Sequence, residues 1–431
     1  MKAGLIGEKL SHSLSPEIHS KFYRLTGLPG SYSLFETSED SLGAFLDRLA
    51  AQGYAGVNVT IPYKTVIMKH LDSLSVEAEA IGAVNTVHFR GREKCGHNTD
   101  YYGLKVLLES EGIDVKGLSV VILGTGGAAR CALKLAHDMG AASVTAVSRS
   151  PENADGLFGA MSYDMLNSLL HIGVLINTTP IGMAPDVDGC PVPQAVIEKC
   201  GCVVDLIYNP AETVLLKIAR SLGIKAVNGL LMLCAQAVKA QEIWTGLGFG
   251  GDIYSGVYEY MKTKVYKTNI VLIGMPGSGK TTVGRLLAER LGMDFADTDA
   301  MVEEAHGKIP DIFRAEGEAA FRKYESEAAK KAAAMSRAVI STGGGIIMNE
   351  SNMNSLRETG RVVFLDRALE QLLSDTDTSG RPLLTDGKES IEKLYRERHS
   401  LYHKYADIIP ETGNDARSCA EDIIRKLEET L

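Results

Sequence analysis

Two glycine loops, each directly behind a short apolar run, constrain this chain more than any other feature. Leu118-Ser-Val-Val-Ile-Leu123 runs into Gly124-Thr-Gly-Gly-Ala-Ala129, and Ile270-Val-Leu-Ile273 runs into Gly274-Met-Pro-Gly-Ser-Gly-Lys280-Thr281. A strand that turns sharply through glycines into a helix opens a βαβ unit, whose strands pair in parallel with the helix packed on the sheet. The first loop has the G-x-G-x-x-A form of a dinucleotide site; the second is a complete G-x-x-x-x-G-K-T loop. Their spacings and downstream residues differ, so they are not an internal repeat. The expectation is an α/β chain with two unlike nucleotide-binding units.

A chain of 431 residues has room for two to three domains, each with its own core. The net charge of −9 comes with dispersed Lys and Arg, which favours neither nucleic acid nor an anionic membrane as partner. No apolar run reaches bilayer-spanning length, and the one at Met1–Glu8 is too short for a secretory signal. Seven scattered cysteines fit a reducing cytosol, so a cytoplasmic location is expected. Cys200-x-Cys202 lacks a second pair at metal-finger spacing. His399 and His403 lie at i, i+4, but no acidic residue directly follows the first and no third ligand is evident. The pair is expected to line a helix face.

Periodicity sets the organisation. Leu42, Phe45, Leu46 and Leu49 fall at helical spacing behind Ser38-Glu-Asp-Ser41. Val57–Ile61 reads as a strand end, with Pro62 opening a helix that continues through Met68 and Leu71. Ser143–Val147 reads as the second strand of the first βαβ unit, and Leu230–Trp244 as a helix returning to the first domain. The expected domains are residues 1–102, with 236–262 returning to them, and a Rossmann domain over 103–235. A linker over 263–268 and a P-loop domain over 269–431 follow. About twenty residues past the first glycine loop, where an acidic residue would hold the ribose of NAD, stands Ser148-Arg149-Ser150. An arginine there suits a 2′-phosphate, so NADP is favoured.

Ser13-Leu-Ser15-Pro16, Asn58-Val-Thr60-Ile-Pro62-Tyr-Lys64, Gly82-Ala-Val-Asn85-Thr86 and Asn98-Thr99-Asp100 occur in order. Asn177-Thr-Thr-Pro180, Asp205-Leu-Ile-Tyr208-Asn-Pro210, Asn228-Gly229 and Gln236 continue the series up to Trp244-Thr-Gly246. Together they resemble the shikimate dehydrogenase family over nearly all of residues 1–262. The residue types suit a small polyhydroxylated acid. Ser13 and Ser15, at i, i+2 on one side of an extended segment, can grip a carboxylate; Thr60, Asn85 and Gln236 offer neutral partners to ring hydroxyls. The resemblance implies Lys64 and Asp100 as the reacting pair and Tyr208 at the substrate. It implies NADP(H) on Gly124, Thr125, Gly126, Gly127, Ala128, Ser148, Arg149, Ser150, Leu206 and Gly229. Ser148 stands where the family often has asparagine, and Asn153 approximately where it has a second basic residue, so the phosphate clamp is expected to be weaker than usual. The serine motif alone leaves quinate open as a substrate.

Beyond the P-loop, Asp297-Thr-Asp299, Gly317-Glu-Ala-Ala-Phe321-Arg322-Lys-Tyr-Glu325, Gly343-Gly-Gly345, Arg381-Pro-Leu-Leu384 and Arg398-His-Ser-Leu-Tyr402 follow in order. The set resembles shikimate kinase over residues 269–431. ATP phosphates are expected on Gly277, Ser278, Gly279, Lys280, Thr281 and Thr282, with Mg2+ on Thr281 and supported by Asp297. The resemblance implies Asp299 as base and hydroxyl ligand, and Arg322, Arg398 and the Gly344 backbone around the substrate carboxylate. It also implies Arg381 on a lid over the nucleotide. Guanidinium groups suit a carboxylate anion better than lysine does. The two resemblances make the dehydrogenase product the kinase substrate. A shikimate-sensing regulator is the rival reading, but Lys64, Asp100, Lys280, Thr281 and Asp299 are all present.

Overall fold

A computed structural model describes residues 1–10, 13–151, 160–375, 388–411 and 415–429. The chain forms two compact units, Met1–Lys262 and Thr263–Leu431.

The first unit contains two sheets. One is built from β1 (Lys2–Gly7), β2 (Ser31–Glu36), β3 (Gly56–Val59), β4 (Ser73–Leu74), β5 (Thr86–Arg90) and β6 (Glu93–His97), in the order β2-β1-β3-β5-β6-β4. Pairing is parallel around β1 and antiparallel through β3, β5 and β6. Helices α1 (Ser15–Thr26), α2 (Leu42–Ala51) and α3 (Val76–Ile81) belong to this part. The expected helical face of α2 buries Leu42, Leu46 and Leu49 beside Ile6, Val57 and Val59.

Helix α4 (Thr99–Ser110) leads into the second sheet: β7 (Ser119–Leu123), α5 (Gly127–Asp138), β8 (Ser143–Ser148), β9 (Met161–Ser162), β10 (Ile172–Asn177), α6 (Gln194–Ile197), β11 (Cys200–Asp205), α7 (Val214–Ser221) and β12 (Lys225–Asn228). All its pairings are parallel, in the order β12-β11-β10-β7-β8-β9. The chain leaves β7 toward β8 and β9, then crosses back to β10 on the other side. That reversal opens a crevice at the carboxyl end of β7, where the first glycine loop lies. Helix α8 (Leu230–Thr245) packs along α4 and returns to the first sheet, where Trp244 Nε1 donates to the Val87 carbonyl at 3.0 Å. Both passages between the sheets, expected at 102/103 and 235/236, therefore run through helices rather than loops.

Helix α9 (Gly251–Tyr266) follows, and residues 263–266 of the expected linker form its last turn. The second unit contains β13 (Asn269–Ile273), α10 (Lys280–Leu291), β14 (Asp294–Asp297), α11 (Thr298–His306), α12 (Ile309–Ala315), α13 (Gly317–Ala333), β15 (Ala338–Ser341), α14 (Glu350–Thr359), β16 (Gly360–Phe364), α15 (Leu369–Asp375), α16 (Lys388–Tyr405) and α17 (Ala416–Glu429). Its sheet is parallel throughout, in the order β14-β15-β13-β16. Every residue of β13 and β16 is buried, as a strand covered on both faces requires.

Two local expectations are not met. Pro62 does not open an α-helix: the Ile61–Pro62 bond is cis, the Tyr63 amide closes a turn on the Thr60 carbonyl at 2.9 Å, and only a 3₁₀ segment, Val66–His70, follows. Tyr63 is buried and donates from its hydroxyl to the Thr37 carbonyl at 2.6 Å, which holds the turn. Ser13 and Ser15 do not share an extended segment either. Ser15 starts α1, because Pro16 is preset for a first helical turn, and the Ser15 amide donates to Ser13 Oγ at 3.3 Å. Among the described residues no helix is long and apolar enough to cross a membrane.

Candidate functional site

In the first unit, the start of α4 carries the carboxylate of Asp100. Asn98 caps the helix by accepting from the Tyr101 amide at 3.3 Å and donates from Nδ2 to the Ala83 carbonyl at 2.9 Å. This anchors Asp100 in the first turn. Lys64, from the turn after β3, donates from Nζ to Asp100 Oδ2 at 2.6 Å; the two side chains are 24% and 13% exposed, so the pair is reachable but mostly dry. Asn85 Oδ1 accepts from the Thr99 amide at 2.7 Å and from the Thr99 and Thr86 hydroxyls at 3.2 and 3.1 Å. With its oxygen committed, Asn85 offers Nδ2 to a ligand. Thr99 Oγ1 also lies 3.4 Å from Gln236 Oε1, an alternative acceptor for its proton, which draws α8 into the site. Asn58 bridges Thr86 Oγ1 at 3.0 Å and Tyr32, whose hydroxyl donates to Asn58 Oδ1 at 2.7 Å. Burial pushes the Tyr32 phenol well above its usual range, with the Ser15 hydroxyl beside it. A continuous polar network thus runs from Ser15 to Gln236. Thr60 is held on the neighbouring strand end, its amide donating to the Ile6 carbonyl at 3.0 Å.

The glycine turn abuts this network. Gly124 has φ +108°, and a Cβ there would meet Thr178 Oγ1 at 2.7 Å, so no other residue fits. Gly126 caps α5 with open space where its Cβ would point, and Ala129 is fully buried against the sheet. Thr125 lies in the turn and Ala128 in the first turn of α5. A Cβ on Gly127 would stand 3.9 Å from Lys64 Cδ, so the helix N-terminus, of a kind that suits pyrophosphate, neighbours Lys64. Arg149 is exposed just beyond β8, and the Ser150 amide donates to Ser148 Oγ at 3.1 Å. On the far side, a Cβ on Gly229 would strike the Leu206 carbonyl at 2.1 Å. Buried Asp205 fixes these strand ends by accepting from Asn177 Nδ2, the Thr213 hydroxyl and the Ile207 amide. Burial raises its carboxyl pKa against those three bonds. Tyr208 is half-buried, its phenol likewise raised by burial. Asn153 lies outside the described residues.

The second unit has a cavity of about 430 Å³ at the carboxyl ends of its strands, lined by Lys280, Thr281, Asp297, Asp299, Arg322 and Arg398. Gly277 and Gly279 both take left-handed φ, +83° and +88°, which turns the loop around its own amides. Lys280 is buried and donates to the Gly274 and Met275 carbonyls at 2.9 Å. Ser278 is buried in the loop, and Thr282 lines the cavity beside Thr281. Thr281 Oγ1 donates to Asp297 Oδ2 at 2.8 Å, and Asp297 Oδ1 caps α11 through the Asp299 amide at 3.1 Å. Asp299 is set against Gly343, where a Cβ would lie 2.5 Å from its Oδ1. Arg322 is gripped by Glu318 at 2.8 Å and Glu325 at 2.9 Å. Arg398 donates to the Gly344 carbonyl at 3.1 Å, joined there by the Tyr402 hydroxyl at 2.6 Å. Arg381 lies outside the described residues.

Family models match both units, and the relatives match the first. The family model for the shikimate dehydrogenase substrate binding domain matches residues 5–87, and that for shikimate kinase matches residues 276–428. A shikimate dehydrogenase (NADP(+)) of Clostridium perfringens is 44% identical over 266 residues, covering 61% of this chain and 98% of the relative. The chain belongs to the shikimate dehydrogenase family and carries a shikimate kinase domain behind it. Among solved structures, a chorismate mutase/shikimate 5-dehydrogenase fusion protein from Clostridium acetobutylicum is 42% identical. It covers 61% of this chain and 98% of its own, with a TM-score of 0.60. A shikimate 5-dehydrogenase from Thermus thermophilus in complex with NADP(H) and shikimate is 34% identical over 60% of this chain and 97% of its own, at a TM-score of 0.55.

Several contributors escape motif reading. In the dehydrogenase unit, Tyr32 and the hydroxyl of Thr99 become visible only through the network. In the kinase unit, buried Glu325 stands three residues after Arg322 and seven after Glu318. The i, i+3 and i, i+4 charge spacing was a readable sign that these acids hold the arginine. Burial raises the Glu325 carboxyl pKa, and the Arg322 and Arg398 charges oppose that rise. Tyr402 had no such sign beyond its place in the run Arg398-His-Ser-Leu-Tyr402.

Proposed function

We infer that the chain carries out two consecutive reactions on one ring acid. The first unit reduces 3-dehydroshikimate to shikimate with NADPH, and the second phosphorylates the hydroxyl so formed to give shikimate 3-phosphate with ATP. The observation that carries this reading is the 2.6 Å Lys64–Asp100 pair standing beside the glycine turn of the cofactor crevice. NADPH, when bound, supplies the hydride to the ring carbonyl carbon. The Lys64 ammonium polarises the carbonyl oxygen and passes it a proton from Nζ, while Asp100 orients that nitrogen. Asn85 Nδ2, Thr60, Gln236 and Tyr208 position the ring hydroxyls, and Ser13 and Ser15 bind its carboxylate. Gly124–Ala128, Ser148–Ser150, Leu206 and Gly229 hold the cofactor, with Arg149 on the 2′-phosphate.

In the kinase unit, Arg322 and Arg398 bind the carboxylate of shikimate with the Gly344 backbone, and Asp299 accepts the proton of the attacking hydroxyl. Gly277, Ser278, Gly279, Lys280 and Thr282 cradle the nucleotide phosphates, and Arg381 approaches them from a lid. The Thr281 hydroxyl and Asp297 carboxylate, 2.8 Å apart, are hard oxygen donors of the kind Mg2+ requires. Mg2+, bound with ATP, neutralises phosphate charge. The functional domains are residues 1–102 with 236–262, then 103–235 and 269–431. Seven free cysteines support a reducing, cytoplasmic setting. The test is a one-pot incubation of the full chain with 3-dehydroshikimate, NADPH and MgATP, followed by mass spectrometry. Shikimate 3-phosphate is expected; accumulation of unphosphorylated shikimate, or no NADPH oxidation, refutes the corresponding half.

A further inference from the structure

A side-chain cluster in the kinase unit plays no part in these reactions. His399 and His403 stand one turn apart on α16, and both present Nε2 to Asp366, just past β16. His399 Nε2 lies 3.1 Å from Asp366 Oδ1, and His403 Nε2 lies 3.5 Å from Asp366 Oδ2. One potential ligand atom from each residue falls within 4.8 Å of the others. A tetrahedral zinc-class ion with bonds of ~2.0–2.1 Å holds its ligands ~3.3–3.4 Å apart. Each imidazole nitrogen already lies near that distance from one oxygen of the Asp366 carboxylate, His399 from Oδ1 and His403 from Oδ2. The rings are also fixed in place: Tyr395 stacks on His399 at 4.6 Å, and Phe364 packs edge-on against His399 at 5.8 Å and His403 at 5.2 Å. With 30%, 43% and 28% of the three side chains exposed, the cluster can be reached from solvent.

We propose that Asp366, His399 and His403 form a binding site for one divalent transition-metal ion of the zinc class, separate from the Mg2+ ligands at Thr281 and Asp297. Two imidazoles and one carboxylate are a donor set for zinc, cobalt, nickel or copper, whereas magnesium prefers oxygen donors alone. Three protein ligands leave a fourth position for water, which makes the ion exchangeable. The flanking residues say what occupancy does. Arg367, next to Asp366, donates to the Gly277 carbonyl of the phosphate loop at 3.3 Å, and Arg398, next to His399, donates to the Gly344 carbonyl. A bound ion braces the end of β16 to α16 and so stabilises both arginine-bearing segments together.

The test uses the full chain, stripped with chelator and titrated with Co2+, in wild type, His403→Gln and Asp366→Asn. His403 is 43% exposed, so its replacement leaves the fold intact, and kinase turnover with MgATP serves as the control for that. The expected result is one equivalent of Co2+ with ligand-field bands and no thiolate charge-transfer band, displaced by Zn2+. Affinity should fall by ~100-fold in each variant, since loss of even an outer-shell partner weakens metal sites by ~10–100-fold. Zn2+ should raise the melting temperature of the wild type and not of either variant. Wild-type affinity retained in His403→Gln, thiolate bands that place the ion on cysteine, or no binding at all would each overturn the proposal.

Discussion

Gly343→Ala gives a sharp test of the kinase site, because its effect can be worked from the packing. The new Cβ would stand 2.5 Å from Asp299 Oδ1, whereas ordinary contact begins at 3.4 Å, so the carboxylate has to retreat by about 0.9 Å. The same Cβ meets Glu325 Oε1 at 3.2 Å, a buried atom, so the strain falls on Asp299. Gly343 is not in the left-handed region, and alanine is therefore tolerated by the backbone. The cost is functional rather than structural. Displacing a reacting group by ~1 Å lowers turnover by ~100-fold, or ~2.7 kcal/mol of transition-state stabilisation. Steady-state phosphorylation of shikimate, followed by ADP release, should show that fall in kcat with KM for ATP, melting temperature and dehydrogenase turnover nearly unchanged. Gly345→Ala is the informative partner. Its Cβ would strike Arg322 Nη1 at 2.3 Å, so the main change should be a raised KM for shikimate. A Gly343→Ala enzyme that is folded and keeps kcat within threefold of wild type would refute the placement of Asp299 as base.

Lys64→Ala should lower dehydrogenase turnover by ~10²–10⁴-fold while leaving phosphorylation of added shikimate unchanged; loss of both activities in a folded variant would contradict separate sites. Arg149→Ala should raise KM for NADPH by about tenfold and KM for NADH much less, the lower end for a charged phosphate contact because Arg149 is exposed and screened. Equal kinetics with both cofactors in the wild type would refute it. Buried His19, stacked on Tyr32 at 3.9 Å, has its pKa lowered from 6.5 to about 3 by desolvation. A depressed histidine contributes stability that is complete above pH 6.5 and is lost as pH falls toward 3. The loss runs at up to ~1.4 kcal/mol per pH unit. Denaturant midpoints of the first unit should therefore drop between pH 7 and pH 4.5, and His19→Gln should flatten that dependence; parallel curves for the two proteins would count against it.

Much of this molecule is written in local sequence. The two glycine loops and the α2 stripe of Leu42, Leu46 and Leu49 depend on backbone preferences and contacts within a few residues. They are legible without a fold. The parallel sheets follow from the same signals, because a strand entering a helix can pair with the next strand only through a crossover. Local rules alone do not decide every segment. Pro62 and the Ser13–Ser15 pair each suited a regular element, and packing of Tyr63 and the start of α1 decided otherwise.

What the tertiary structure alone decided are the meetings of residues distant in sequence. Lys64 reaches Asp100 across 36 positions, and Thr99 reaches Gln236 across 137. Asp366 supplies the acidic partner that the His399–His403 spacing could not reveal, because it comes from a neighbouring strand end 33 residues away. Spacing along a chain determines which side chains share a face of one element. Which faces meet is settled by burying several apolar clusters at once, and that sum over the whole core is not contained in any short window of sequence.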